Sequence, residues 1–331
     1  MRRAAAVLVV AALTLAGCST AAPATDGGEG ADATVDTDDF AIDHDFPDPD
    51  VLATADGYLA YATNGAGFNV QLATSPDLES WDVVPVDALP TLPDWALPGK
   101  TWAPEVAEFA ADRFVMYVTV ATKDPALQCI GVAVSEVAEG PFVPTGSGPI
   151  VCPPDDGGAI DAATFADDDG KRYLLWKNDG NCCGFDTWLQ LAELSADGTA
   201  LVGETTKLVM QTEDWEGDLV EAPTLVKRDG VYTLLYSAND YGGDAYATGY
   251  ATAPSVRGPF SKADGPLLTT ELTDGRYLGP GGQDVVTAPD GSDRIVFHSW
   301  DSLFIQRGMN VLPLGWQDGV PTVQVPSAAR P

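Results

Sequence analysis

An all-β fold, a five-bladed β-propeller with four antiparallel strands per blade, is what this sequence predicts. Three observations lead there. A phrase made of an acidic turn and an aromatic-bearing strand occurs five times, with its first aspartates at 56, 112, 169, 229 and 290. Copies spaced this evenly mean a repeated supersecondary unit. The turns read Asp-Gly or similar between short strands, which is hairpin chemistry. No stretch beyond the first residues carries a sustained 3.6-residue apolar period with caps, so helix is a minor component. A pair of β-sandwiches does not require five even copies.

The five phrases, in order, are Asp56-Gly57-Tyr58-Leu59-Ala60-Tyr61, Asp112-Arg113-Phe114-Val115-Met116-Tyr117, Asp169 through Trp176, Asp229 through Tyr236, and Asp290 through Phe297. A second phrase follows most of them: Ala73-Thr74-Ser75-Pro76 with Trp81, Ala133-Val134-Ser135 with Phe142, and Ala251-Thr252-Ala253-Pro254 with Phe260. It reads as a third strand, a turn and an outer strand. Ahead of each Asp-Gly turn lies a segment expected to be the innermost strand, lining the central channel. These segments contain Asp48, Trp102 with Glu105, Asp161, Glu221, and Gln283 with Asp284.

The chain has 331 residues, with 17 Lys+Arg against 49 Asp+Glu and a net charge of −32. That field repels phosphates and argues against nucleic acid as a partner. Two histidines and five cysteines leave little for a His/Cys zinc centre. Residues 1–17 read as an export signal: Arg2 and Arg3 precede an apolar run that ends Leu15-Ala16-Gly17-Cys18. This tetrapeptide resembles the bacterial lipobox and implies lipidation of Cys18. The protein is then a cell-surface lipoprotein, touching membrane only through its lipid; plain secretion is the alternative. Residues 18–39 read as a flexible acidic linker, and 40–331 as one propeller domain, expected to be a monomer. The remaining cysteines, Cys129, Cys152, Cys182 and Cys183, are even in number and suit an oxidising compartment. Cys129 with Cys152 closes a hairpin-sized loop. Cys182 and Cys183 then either form a vicinal bridge or stay reduced, and crossed pairing remains open.

Asp48, Asp161 and Glu221 come from separate blades and are read as holding one repeated inner position, so they are expected to converge at the axis. Like charges and desolvation push the pKa values of such a group apart. Glycoside hydrolysis needs one protonated acid and one ionised base. No G-x-S-x-G elbow, P-loop or H-E-x-x-H competes, and His44 and His298 alone support no triad. Trp102 is the best candidate for a sugar platform. Trp95 and Trp215 are candidate rim contacts, and Asn178, Asp179 and Asn181 are candidates to shape the pocket. Trp81 and Trp176 read as core.

At these residues the chain resembles glycoside hydrolase family 43, the five-bladed arabinan and xylan enzymes. Phe46-Pro47-Asp48-Pro49-Asp50-Val51, Trp102-Ala103-Pro104-Glu105-Val106, Ile160-Asp161 with Phe165, and Glu221-Ala222-Pro223-Thr224-Leu225 match its motifs in order. The resemblance implies that Asp48 is the general base, Glu221 the general acid, and Asp161 the residue that tunes and positions the acid. It implies single displacement with inversion and no cofactor for the chemistry. Many members carry Gly-Pro-Gly-His in the last blade, near a central ion. Here Gly282 stands in place of that His, so a structural Ca²⁺ at the axis stays open. Gln283 is then a candidate for substrate hydroxyls, while His298 either faces the channel or is a core residue. The expected activity is exo-acting α-L-arabinofuranosidase on arabinan, arabinoxylan or their oligosaccharides. β-Xylosidase and endo-arabinanase are alternatives within the family. A non-catalytic sugar-binding lipoprotein has no need of all three acids. The sucrose and fructan propellers usually place Cys after the acid, where this chain has Ala222.

Overall fold

The computed structural model describes residues 40–326. The proposed signal, Cys18 and the linker lie outside the described residues. Within them, five four-stranded antiparallel sheets follow one another along the chain, each ordered from inside to outside in sequence. Blade 1 holds β1 (Asp50–Thr54), β2 (Gly57–Ala62), β3 (Gln71–Ser75) and β4 (Asp82–Val84). Blade 2 holds β5 (Ala96–Ala110), β6 (Arg113–Thr122), β7 (Gln128–Ser135) and β8 (Val143–Thr145). Blade 3 holds β9 (Ala159–Ala166), β10 (Arg172–Asn178), β11 (Trp188–Leu194) and β12 (Leu201–Met210). Blade 4 holds β13 (Val220–Arg228), β14 (Val231–Ala238), β15 (Ala247–Ala253) and β16 (Ser261–Lys262). Blade 5 holds β17 (Leu278–Thr287), β18 (Asp293–Trp300), β19 (Arg307–Gln317) and β20 (Val320–Val323). Every copy of the aromatic phrase becomes a second strand, and helix among the described residues is confined to short 3₁₀ turns.

Apolar side chains on the two faces of each sheet pack against the neighbouring blades. One cluster, with Leu59, Tyr61, Met116 and Val118, joins blades 1 and 2; another, with Leu175, Leu191, Leu234 and Tyr236, joins blades 3 and 4. Phe46, Val51, Val286 and Val296 close the ring between blades 5 and 1. Trp176 is fully buried and Trp81 packs against the closing cluster, as expected for core residues. Disulfides join Cys129 to Cys152 and Cys182 to Cys183, so the crossed pairing is not adopted.

The inner strands are also joined by acids. Asp50 accepts the Val106 N–H of the next blade at 2.8 Å, and Glu105 accepts the Thr164 N–H at 2.8 Å. Asp284 accepts the Val51 N–H at 2.9 Å, closing the ring. Burial is the main reason that all three carboxyls are raised; Glu105 and Asp284 add to it for Asp50, and burial with Asp284 adding to it brings Glu105 to about 7. A raised native pKa favours the protonated form. The stability these groups confer is complete below their unfolded values near ~4. It is lost as pH climbs through about 7. The melting temperature is therefore expected to fall between about pH 4 and pH 7. Glu105→Gln keeps an acceptor for Thr164 and removes one ionisation, so it should flatten that decline. Thermal melts across this range test it, and an unchanged slope would exclude Glu105 as a source.

Candidate active site

Each inner strand passes the axis through a left-handed residue. Asp48 (φ 54°), Ala103 (φ 41°), Asp161 (φ 56°), Ala222 (φ 47°) and Gly282 (φ 58°) occupy this position in blades 1 to 5. Two residues later come Asp50, Glu105, Ala163, Thr224 and Asp284, opposite Tyr61, Tyr117, Leu175, Leu235 and Val296 of the second strands. A small axial cavity, about 40 Å³, is walled by this three-residue segment from every blade. Such φ values cost non-glycine residues about 1–3 kcal/mol each and persist where the surroundings impose them. The kink corrects the expected register. Asp48 and Asp161 hold the left-handed position, but Glu221 lies one residue before it.

The kinked backbone N–H groups are satisfied across the blade interfaces. Ala103 N donates to Thr63 Oγ1 (2.9 Å), Asp161 N to Thr119 Oγ1 (3.2 Å), Gly282 N to Ser237 Oγ (2.9 Å) and Asp48 N to His298 Nδ1 (3.1 Å). In each case the acceptor belongs to the preceding blade, two residues beyond the second-strand partner named above. Blade 3 has Lys177 at that place, and lysine has no acceptor. Ala222 N turns instead to Asp161 Oδ2 at 3.0 Å.

Lys177 is buried, with Nζ 3.0 Å from Glu221 Oε2 and 3.9 Å from Asp179 Oδ1. The other Glu221 oxygen accepts the Tyr246 hydroxyl at 2.8 Å. Burial works against the Lys177 charge, but Glu221, Asp161 and Asp179 together raise its pKa above the ordinary lysine value. Burial first and Glu221 second push Asp161 up to about 8, with Lys177 opposing and Asp48 adding. At neutral pH Asp161 thus retains a proton. Asp48 Oδ2 accepts the Thr63 hydroxyl at 2.7 Å, and Arg307 Nη1 lies 3.8 Å from Oδ1. The Arg307 guanidinium stacks over Tyr241 (5.0 Å) and Trp300 (5.6 Å).

These groups face one cavity of about 730 Å³, within the usual range for small-ligand sites. Asp48, Asp161, Glu221 and Trp102 all line it, with Lys177, Tyr246 and Arg307. Asp179, Asn181 and Cys182 form part of its wall.

Other expected contacts fall elsewhere. Asn178 is buried and holds the loop after β10, donating to Asp156 O (3.1 Å) and Asp186 O (3.0 Å). Trp215 stacks on Tyr236 against the core between blades 3 and 4, so proximity to Glu221 in sequence did not bring it to the cavity. Trp95 packs likewise against the blade 1–2 core. Gln283 lies below, in the axial wall, donating to Ala222 O (2.6 Å) and accepting from Ser237 (2.8 Å). His298 is fully buried and stacked on Tyr246, at 5.8 Å. Burial, then Arg307, holds His298 well below its ordinary value. It is therefore neutral, and its 3.3 Å approach to Asp48 Oδ1 is no ion pair.

Position 282 offers no side chain to an axial Ca²⁺. A Cβ at Gly282 would stand 2.5 Å from His298 Nδ1 and 2.9 Å from Asp48 Oδ1, so His298 fills the space of a residue-282 side chain. Its Nδ1 is already engaged. Among the described residues no group of three or more His, Cys, Asp or Glu is arranged to hold a metal.

Comparison with known proteins agrees with this geometry. The glycosyl hydrolases family 43 profile matches residues 41–321. A β-D-galactofuranosidase from Aspergillus niger is 30% identical over 272 residues, 76% of this chain and 73% of the relative. A β-xylosidase from Bacillus subtilis is 28% identical over 295 residues, 83% of this chain but 52% of its own length, so the chain spans about half of it. An extracellular endo-α-(1→5)-L-arabinanase from the same species is 24% identical over 294 residues, 83% of this chain and 86% of its own length. A thermostable family-43 glycoside hydrolase of known structure superposes with a TM-score of 0.76 at 29% identity, covering 86% of this chain and 95% of that one. A profile match running through all five blades places the chain in glycoside hydrolase family 43.

Proposed function

We propose that the protein is an inverting glycosidase releasing α-L-arabinofuranosyl units from arabinan, arabinoxylan or their oligosaccharides. The observation that carries the reading is that Asp48 from blade 1 and Glu221 from blade 4 line the same cavity, with Asp161 beside them. In this reading Asp48 takes a proton from water as the water attacks the anomeric carbon. The C–O bond breaks on the opposite side, its electron pair leaving with the glycosidic oxygen. Glu221 delivers to that oxygen the proton held with Asp161. Trp102 offers the apolar face of the sugar a flat partner. The Arg307 side chain presents donors to ring hydroxyls next to the base.

The galactofuranosidase among the relatives favours one second reading. α-L-Arabinofuranose and β-D-galactofuranose share the configuration of the five-membered ring and differ in the exocyclic carbon, so a pocket for one presents suitable groups to the other. Hydrolysis of the p-nitrophenyl α-L-arabinofuranoside, β-D-galactofuranoside and β-D-xyloside tests the choice. The arabinofuranoside is expected to have the highest kcat/KM. A preference for the xyloside would overturn the furanoside reading, and no turnover of any of the three would overturn exo-glycosidase action.

A further inference from the structure

The fivefold pattern of interblade hydrogen bonds is broken at one place, and that place lies between the two carboxylates that handle the proton. Thr63, Thr119, Ser237 and His298 each accept the kinked N–H of the following blade. Lys177 holds the equivalent position in blade 3 and sends its ammonium to Glu221 at 3.0 Å. The bond it cannot make, to Ala222 N, passes to Asp161. Ala222 adjoins Glu221 in the chain. One substitution in the repeat thus ties Asp161 to the backbone beside the acid and ties the acid to a buried cation.

We propose that Lys177 is a positioning residue for proton donation: its buried ammonium fixes the Glu221 carboxylate, and its lack of an acceptor recruits Asp161 to the adjoining backbone. The proposal rests on the reading of Glu221 as the general acid. The consequence is electrostatic as well as geometric. Desolvation and the neighbouring Glu221 charge hold a proton on Asp161, while the ammonium pulls the other way and makes that proton easier to give up. A donor whose acidity is matched to its task transfers faster than one that holds its proton too tightly. Besides Lys177, the charged groups of the cavity are Asp48, Asp179, Asp218, Asp240 and Arg307, with the Tyr246 hydroxyl and neutral His298 alongside. Removing the positive charge at 177 should therefore raise the Asp161 pKa further.

The test compares the full-length protein with Lys177→Met, which keeps volume and deletes charge, and Lys177→Thr, which restores the hydroxyl used in blades 1 and 2. Rates against pH are read on 1,5-α-L-arabinobiose and on 2,4-dinitrophenyl α-L-arabinofuranoside, whose leaving group needs no proton. Each variant is expected to lose about 10²-fold in kcat on the disaccharide and to stay within about tenfold of wild type on the dinitrophenyl substrate. The alkaline limb of the disaccharide profile should move up by about one pH unit. An unmoved limb in a variant that melts like wild type, or equal losses on both substrates, would overturn the proposal; if one variant does not fold, the other is read by the same criteria. Failure of the underlying reading looks different: the alkaline limb for the disaccharide would then survive in Glu221→Gln, whatever Lys177 does.

Discussion

Glu221→Gln is expected to lower kcat on arabino-oligosaccharides by about 10³-fold while sparing substrates with acidic leaving groups. The asymmetry follows from what the side chain does in the proposed reaction. An alkoxide departs only if protonated as the C–O bond breaks, whereas 2,4-dinitrophenolate departs unaided. Glutamine is well accommodated. Its carbonyl can accept from Lys177, and its amide can donate to the Tyr246 oxygen, groups that stand 3.0 Å and 2.8 Å from the present carboxylate. The fold should survive, and the change in kcat should grow steadily with the pKa of the leaving group. A loss of the same size on every substrate would assign Glu221 to binding and not to proton donation.

Asp48→Asn should be more severe, about 10³–10⁴-fold, and independent of the leaving group. Water attacks in the proposed mechanism only as a base removes its proton, and no departing group replaces that help. The asparagine oxygen can still accept the Thr63 hydroxyl, which bonds Asp48 at 2.7 Å. Azide needs no deprotonation, so it is expected to restore turnover of the dinitrophenyl substrate and to yield the β-L-glycosyl azide. An α-L-azide would mean retention, and full activity in the variant would remove Asp48 from the chemistry. The anomer first released by the wild-type protein, read by NMR, checks the same stereochemistry.

The scaffold was legible because its signals are local. Asp-Gly turns and the aromatic strands after them depend on neighbours in sequence, and all five became second strands. The site was legible at the level of residue type: Asp48, Asp161, Glu221 and Trp102 do share a cavity. Register was not. The left-handed kink precedes proline in blades 1, 2 and 4 but Ala162 in blade 3 and Gln283 in blade 5, so sequence alone does not align Glu221 one residue early. Trp215 sits near Glu221 in sequence and Asn178 directly follows the blade-3 strand phrase, but tertiary packing carries their side chains outward or into a loop base. Lys177 was missed because the column of Thr63, Thr119, Lys177, Ser237 and His298 exists only in strand register: the last aromatic of the phrase stands two residues before it in blades 1 and 2 and one residue before it in blades 3 to 5. Arg307 has no such column, because its role depends on a loop returning to the axis.

The left-handed residue in every inner strand has a consequence for how such a protein changes over time. The main chain around the axis is nearly the same in each of the five blades, and the chemistry is carried by which side chains are hung on it. Blades 2 and 4 already present the backbone that holds a carboxylate in blades 1 and 3, and they place Ala103 and Ala222 there, whereas at Gly282 the His298 ring takes up the room. Reactivity on this frame can be gained, lost or moved by exchanging single side chains, with no loop to rebuild, and one ancestral ring could have given rise to enzymes of different specificity as readily as to inert binders.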